Sequence, residues 1–533
     1  MKKSFKNIRL FFVFLVLASL LSCNRPPRVD MPNTIVVGSS ADARWLLPML
    51  ASDSTSATIS GWIFNGLTKY DKDLKIVGDL AQSWDIKKGG LEIIFHLRKN
   101  VRWQDGAPFT ADDVVFTYDE VINPKVPSPY SSQYGPVDKV EALDPYTVKV
   151  TYKEPFAPAL GRWGMGIIPK HILEGKDISL EVYSRHPVGT GPYILKSWVT
   201  GQSITLVANP DYFEGRPNID TYIMRIIPDD ATSFLELKFG GIDYKGLTPA
   251  QYKNQGGTPI FKRYFQEFRY PSFSYDYLGW NLLNDKFKDV RVRRALAHAI
   301  DKESIIKGAL LGYGTPSTGP FLPGSWAYNN DVKDPGYSPQ RALELFKEAG
   351  WTLHGGVLMK DGKPFSFTIL LAEGGSPTRS MAAQIIQEDL RKIGVQVSIQ
   401  TLEWQAFLHQ YVDKKRFEAV LLGWELDPDP DLYDIFYSKK TKEGEFNFLS
   451  YNNPEVDELL IEGRSAFDQK KREEIYHRVH ALLAQDQPCC FLYVPDSLPV
   501  LSKRFKGVKQ APIGIWYDFI KWRVPADKTL WYN

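Results

Sequence analysis

Cysteine is nearly missing from this chain: of 533 residues only Cys23, Cys489 and Cys490 carry thiols. The last two are adjacent, and neighbouring cysteines close only a strained ring, so no disulfide framework holds the fold. They read as buried free thiols in the apolar stretch from Pro488 to Val494. Spaced Cys/His ligands for a structural metal are missing too. So are His-Glu-x-x-His, Gly-x-Ser-x-Gly and a glycine-rich phosphate loop, which removes the common hydrolase and nucleotide chemistries. Charge of one sign is also lacking: 65 basic against 62 acidic residues leave +3, too balanced to attract nucleic acid. Pairs of carboxylates abound, so a secreted hydrolase stays open but unsupported. His477 and His480, three apart on one predicted helix, have no third ligand and read as a solvated pair.

What the chain does have begins at its amino end. Lys2, Lys3, Lys6 and Arg9 precede an apolar run from Leu10 to Leu21, short of the roughly 20 residues a membrane span needs. Ser22 directly before Cys23 resembles the lipobox of bacterial lipoproteins. That resemblance implies a signal peptide over 1–22, lipid attached at Cys23, a tether over 23–33, and an exported protein on the periplasmic face of a membrane. The alternative is a lone Cys within a discarded signal. Aromatic residues make up 13% of the chain, enough to supply a recognition surface besides the core.

Further on, strand and helix signals interleave, so the expected fold class is α/β. Ile93, Phe95 and Leu97 alternate within a half-buried strand. Thr110 and Asp113 form a capping box for a helix with Val114, Tyr118 and Val121 on one face. Ser338-Pro339, Ser376-Pro377 and Asn453-Pro454 open helices, and Gly350 and Gly394 close them.

Several segments taken together resemble the peptide and nickel family of extracytoplasmic solute-binding proteins, which serve ABC importers. They are Gly78-Asp79-Leu80-Ala81-Gln82-Ser83-Trp84, the stretch from Phe95 to Val115 containing Trp103-Gln104-Asp105-Gly106, and Gly189-Thr190-Gly191-Pro192-Tyr193. Asn209-Pro210-Asp211-Tyr212, the segment from Phe287 to Leu296, and Asn452-Asn453-Pro454-Glu455-Val456-Asp457 complete the series. The resemblance implies a two-lobed periplasmic-binding-protein fold, a clamshell with an additional inserted subdomain. Lobe I would comprise 34–77, 188–286 and 500–533, the inserted subdomain 78–187, and lobe II 287–499. The chain would cross between lobes near residues 286 and 500.

It also implies a ligand site. In peptide-binding relatives an Asp placed as Asp427 is here, three residues past Trp424 of Gly423-Trp424, holds the ligand's ammonium. The same Asp427 could instead cap an Asx-turn before Pro428. Trp404 and Trp424 match aromatic positions beside side-chain pockets, though core packing suits them equally. Tyr277 and Asn281 lie on an expected cleft strand, and Ser40 and Ala41 would offer main-chain groups to an extended peptide. The loop before the helix at Ser376 lacks the Arg that clamps a dipeptide's carboxylate, which favours longer peptides. The expected protein is therefore a monomer that passes peptides to an inner-membrane permease, without cofactor, metal or catalytic step. Oligosaccharides or nickel chelates are the alternative ligands within this fold.

Overall fold

The computed structural model describes residues 33–372 and 377–525. Cys23, the tether up to residue 32 and Ser376 lie outside them.

Lobe I is built on the strand Thr34–Ser39. Ile35 and Val37 enter one core and Val36 another on the opposite face, so the strand is covered on both sides. It pairs in parallel with Thr221–Ile226 and with Tyr244–Gly246. The full sheet runs in the order 265–267, 499–502, 244–246, 34–39, 221–226, 203–208, 193–199.

The inserted segment forms its own antiparallel sheet in the order 81–87, 92–97, 147–152, 137–144. Ile93, Phe95 and Leu97 are buried as their alternation requires. The helix Ala111–Ile122 opens on the expected capping box, with Thr110 N donating to Asp113 Oδ2 at 2.9 Å. Its apolar residues share one continuous core with lobe I. Distant sequence segments lock that junction. Gln104 Nε2 donates to Tyr193 O at 2.8 Å while its Oε1 accepts from Gly189 N at 3.1 Å. A Cβ on Gly189 would stand 1.8 Å from Ile63 O, which explains the glycine. Asn65 gathers Asp79, Thr190 and Tyr212 at 2.9–3.2 Å. These segments are scaffold.

Lobe II has a second sheet, in the order 270–271, 489–497, 274–280, 419–425, 366–372, 396–402, with 314–316 also on 489–497. Helices Val290–Ala299 and Pro377–Lys392 cover one face; Pro454–Ser465 and Gln469–Asp486 cover the other. Gly350 and Gly394 take left-handed φ of 86° and 81° at helix ends.

Two expectations are corrected here. The first crossing does not lie near residue 286, because Phe265–Glu267 ends on lobe I's sheet and Ser274–Trp280 already runs through the middle of lobe II's. Tyr275, Tyr277, Leu278 and Trp280 are all buried, as a central strand requires. The return falls at Leu498, between Cys489–Ser497 and Pro499–Ser502. His480 is not solvated but fully buried, accepting from Asn329 N at 3.1 Å and bonding Thr318 Oγ1 at 3.1 Å. Burial pushes its pKa down to about 4. Cys489 and Cys490 are buried and free.

Candidate functional site

In lobe II, the parallel strands 366–372, 396–402 and 419–425 end at one edge of the sheet. That edge carries Trp404, Gly423 and Trp424, followed by the loop that holds Asp427. Trp404 is exposed and stacks on Phe407, with ring centroids 6.0 Å apart. Trp424 is half-buried against Phe446 and Phe448 at 5.5 and 6.1 Å. At the same edge Arg379 donates through Nε and Nη2 to Oδ1 of the buried Asp276, at 2.8 and 2.7 Å. A Cβ on residue 423 would lie 2.3 Å from both Arg379 Nη2 and Asp276 Oδ1. Gly423 is glycine because an ion pair passes over it. Burial, and Asp276 beside it, push the Tyr493 phenol up.

In lobe I a cavity of about 490 Å³ opens beside Ser39, lined by Thr55, Trp62, Tyr222, Met224 and Trp516 among others. Ser54, Ala57, Thr58 and Gly61 recur at helical spacing on the side facing it, and their small size leaves the space. Neither the stripe nor Trp516 was singled out by sequence reading. The stripe is the signal that could have found the cavity. Ser40 and Ala41 sit on the exposed turn just after the strand. The Ala41 carbonyl already accepts from Ser39 Oγ at 2.8 Å and Thr55 Oγ1 at 3.1 Å.

The inserted subdomain meets lobe II along a seam beside this edge. Ala157 N donates to Arg464 O at 2.6 Å. Gly90 lies so close to Phe467 that a Cβ would fall 2.0 Å from the ring. Asp427 belongs to this seam: Arg162 Nη1 stands 3.1 Å from its Oδ2, with side-chain exposures of 18% for the arginine and 66% for the acid. Asp429 is held by Arg472 at 2.9–3.0 Å and Asp431 by Arg464 at 2.7–3.0 Å. Burial, then Asp429 and Asp427, raise the Tyr70 phenol. Tyr130, raised by burial and by Asp427 and Asp53, donates to Ala51 O at 2.8 Å, so the seam runs back to the segment just before the helix that borders the cavity.

Three expected site residues need correction. Asp427 is not an enclosed carboxylate awaiting a cation, because Arg162 reaches it from the inserted subdomain and most of its side chain is exposed. Tyr277 is core: it is 1% exposed, packed against Tyr275 and held between strands 419–425 and 489–497. Asn281 lies past the opposite end of its strand, where Trp280 pairs with Ala419 while Ser274 pairs with Glu425. Its amide donates to Lys415 O and Phe417 O at 3.0 and 2.8 Å, and its Oδ1 accepts from Leu283 N. It caps a turn. Gly423, Trp424 and Trp404 do share one edge, while Arg162, Trp62 and Trp516 escaped sequence reading.

Two α/β lobes joined by two chain crossings, with a cavity beside the central strand of one, are the architecture of a binding protein. The profile of bacterial extracellular solute-binding proteins, family 5 Middle, matches residues 75–445. The oligopeptide-binding protein AppA of Bacillus subtilis (strain 168) is 36% identical over 499 residues, covering 92% of this chain and 91% of the relative. The solved structure of AppA from Bacillus subtilis in complex with a nonapeptide matches with a TM-score of 0.79 and 34% identity, over 92% of this chain and 99% of that one. NikZ from Campylobacter jejuni in complex with Ni(L-His) matches at 0.81 and 30%, over 92% and 99%. The chain belongs to the family 5 bacterial extracellular solute-binding proteins. It binds a solute and is not an enzyme. Among the described residues no helix is long and apolar enough to cross a membrane.

Proposed function

We propose that this protein captures peptides between its lobes and delivers them to an ABC importer. The observation that carries this reading is the 36% identity to an oligopeptide-binding protein over nine-tenths of both chains. The geometry supports it. A largely apolar, aromatic-lined cavity beside Ser39 suits peptide side chains of mixed character. Trp404 and Trp424 offer further apolar surface at the edge of lobe II's sheet. We place the ligand contacts at Gly423, Trp424, Trp404 and the Ser39–Ala41 turn, and leave Tyr277 and Asn281 to the scaffold.

The basic, apolar and Ser22-Cys23 sequence supports a lipid anchor at Cys23, with everything beyond it outside the cytoplasm. Cys23→Ala should move the protein from the membrane to the soluble fraction. The ligand class is tested by denaturing the purified protein and identifying what it releases by mass spectrometry. A population of short peptides is expected. A nickel complex or a sugar as the released species would overturn the peptide reading.

A further inference from the structure

We propose, resting on the peptide reading, that the lobe I cavity is a pocket for one aromatic side chain of the bound peptide. It rejects charged side chains, and Gly61 keeps it open. At about 490 Å³ it has room for the largest side chain. Its walls include the rings of Trp62, Tyr222, Tyr244 and Trp516. Trp516 meets Tyr244 edge to face with centroids 4.9 Å apart, and lies 6.2 Å from Trp62 and 6.4 Å from Tyr222. An incoming ring can meet these walls in the edge-to-face and offset arrangements that aromatic groups prefer. None of the described residues lining the cavity is charged. Two charged neighbours in sequence are engaged elsewhere. Asp53 accepts from Ser56 N and Oγ at 2.8 and 2.5 Å, and Arg225 donates to Glu236 at 2.7 Å. The wall hydroxyls are engaged too: Ser39 Oγ and Thr55 Oγ1 donate to Ala41 O, and Thr58 Oγ1 to Ser54 O. A charged side chain entering here would lose its water and find no counter-charge.

Scaffold packing does not explain Gly61. It sits inside the helix Ser54–Ile63, where only proline is a poorer helix former. A Cβ there would meet nothing within 4 Å. The glycines at 189 and 191 differ, since a Cβ on either would strike the Ile63 carbonyl. Neither conformation nor contact asks for glycine at 61, and a larger residue would project into the cavity from its wall. Ser54, Ala57 and Thr58, all small, complete the same helical face. A position that breaks a local rule with no structural gain is expected at a functional site. Gly61 is therefore the specificity-determining residue of this pocket.

The test is capture from a proteinase K digest of casein. Ligand-stripped protein takes up peptides, and mass spectrometry compares captured with unbound peptides of equal length. For wild type, peptides carrying Phe, Tyr or Trp should be enriched about tenfold or more over those without, the scale of burying one such ring. Peptides whose only large side chains are charged should be the most depleted. Gly61→Phe fills the pocket and should bring the enrichment to within about twofold, while ring-free peptides are still captured. Should Gly61→Phe fail to fold, Ala57→Phe takes its place. Should both fail, hydrogen–deuterium exchange on wild type decides: a ring-bearing peptide should slow exchange over 56–63 and a ring-free one should not. Equal slowing by both would overturn the proposal. So would wild type that captures the two classes alike, or a folded Gly61→Phe with the wild-type enrichment. Capture of no peptide at all would overturn the peptide reading, whereas capture without preference for a ring overturns only the pocket.

Discussion

Two arginine–aspartate pairs join distant parts of this chain, and their surroundings give them different work. Arg504 and Asp243 are 4% and 0% exposed, with Arg504 donating through Nε and Nη2 at 2.8 and 2.7 Å. Val36 N adds a bond to the same carboxylate at 2.9 Å. This pair fastens the returning chain to the central strands of lobe I. Arg162 and Asp427 meet at one oxygen, with the acid mostly in water. A buried pair becomes indispensable once formed, since removing one partner strands a charge. A pair whose acid stands mostly in water is partly screened, so losing it costs less.

Breaking the buried pair should have the largest effect. Asp243→Ala is expected to cost about 3–5 kcal/mol and lower the denaturation midpoint sharply. His480 is a buried titratable group held by the neutral Thr318 Oγ1 and Asn329 N. Its folded pKa of about 4 lies below the ordinary 6.5, so the unfolded chain binds more protons between those values. Stability is then full above pH 6.5 and falls as pH drops towards 4, by about 3 kcal/mol in all. His480→Gln should flatten that slope in melts taken across the window. Gly423→Ala pushes a methyl into the Arg379–Asp276 pair and should cost about 1–3 kcal/mol, with peptide capture reduced. The smallest effect belongs to the seam: Arg162→Gln should cost no more than about 1 kcal/mol, and less in high salt. A larger loss there would erase the contrast between the two pairs.

Local chemistry was legible in the chain. The capping box at Thr110 and Asp113, the glycines at 350 and 394, and the Asn453 helix cap appear where their residue types require. Each depends on neighbours within a few positions. What failed was non-local. Ser274–Trp280 mixes apolar and polar residues, and only its pairing with 419–425 and 489–497 assigns it to lobe II. His480 sits on a polar-looking helix yet faces Tyr328 and Phe321, which arrive from an earlier loop. The position of Asp427 beyond Gly423-Trp424 was visible, but its partner lies far back in the chain, and no spacing rule connects them. The same holds for Gly423, whose need for a missing side chain comes from Arg379 and Asp276.

Hydrogen–deuterium exchange, with and without the casein digest, examines capture between the lobes most directly. Bound peptide should slow exchange together in the turn and helix start at 39–55 of lobe I and in 423–431 of lobe II. Slowing confined to one lobe, or unchanged exchange in both segments while peptide is bound, would contradict a site between them.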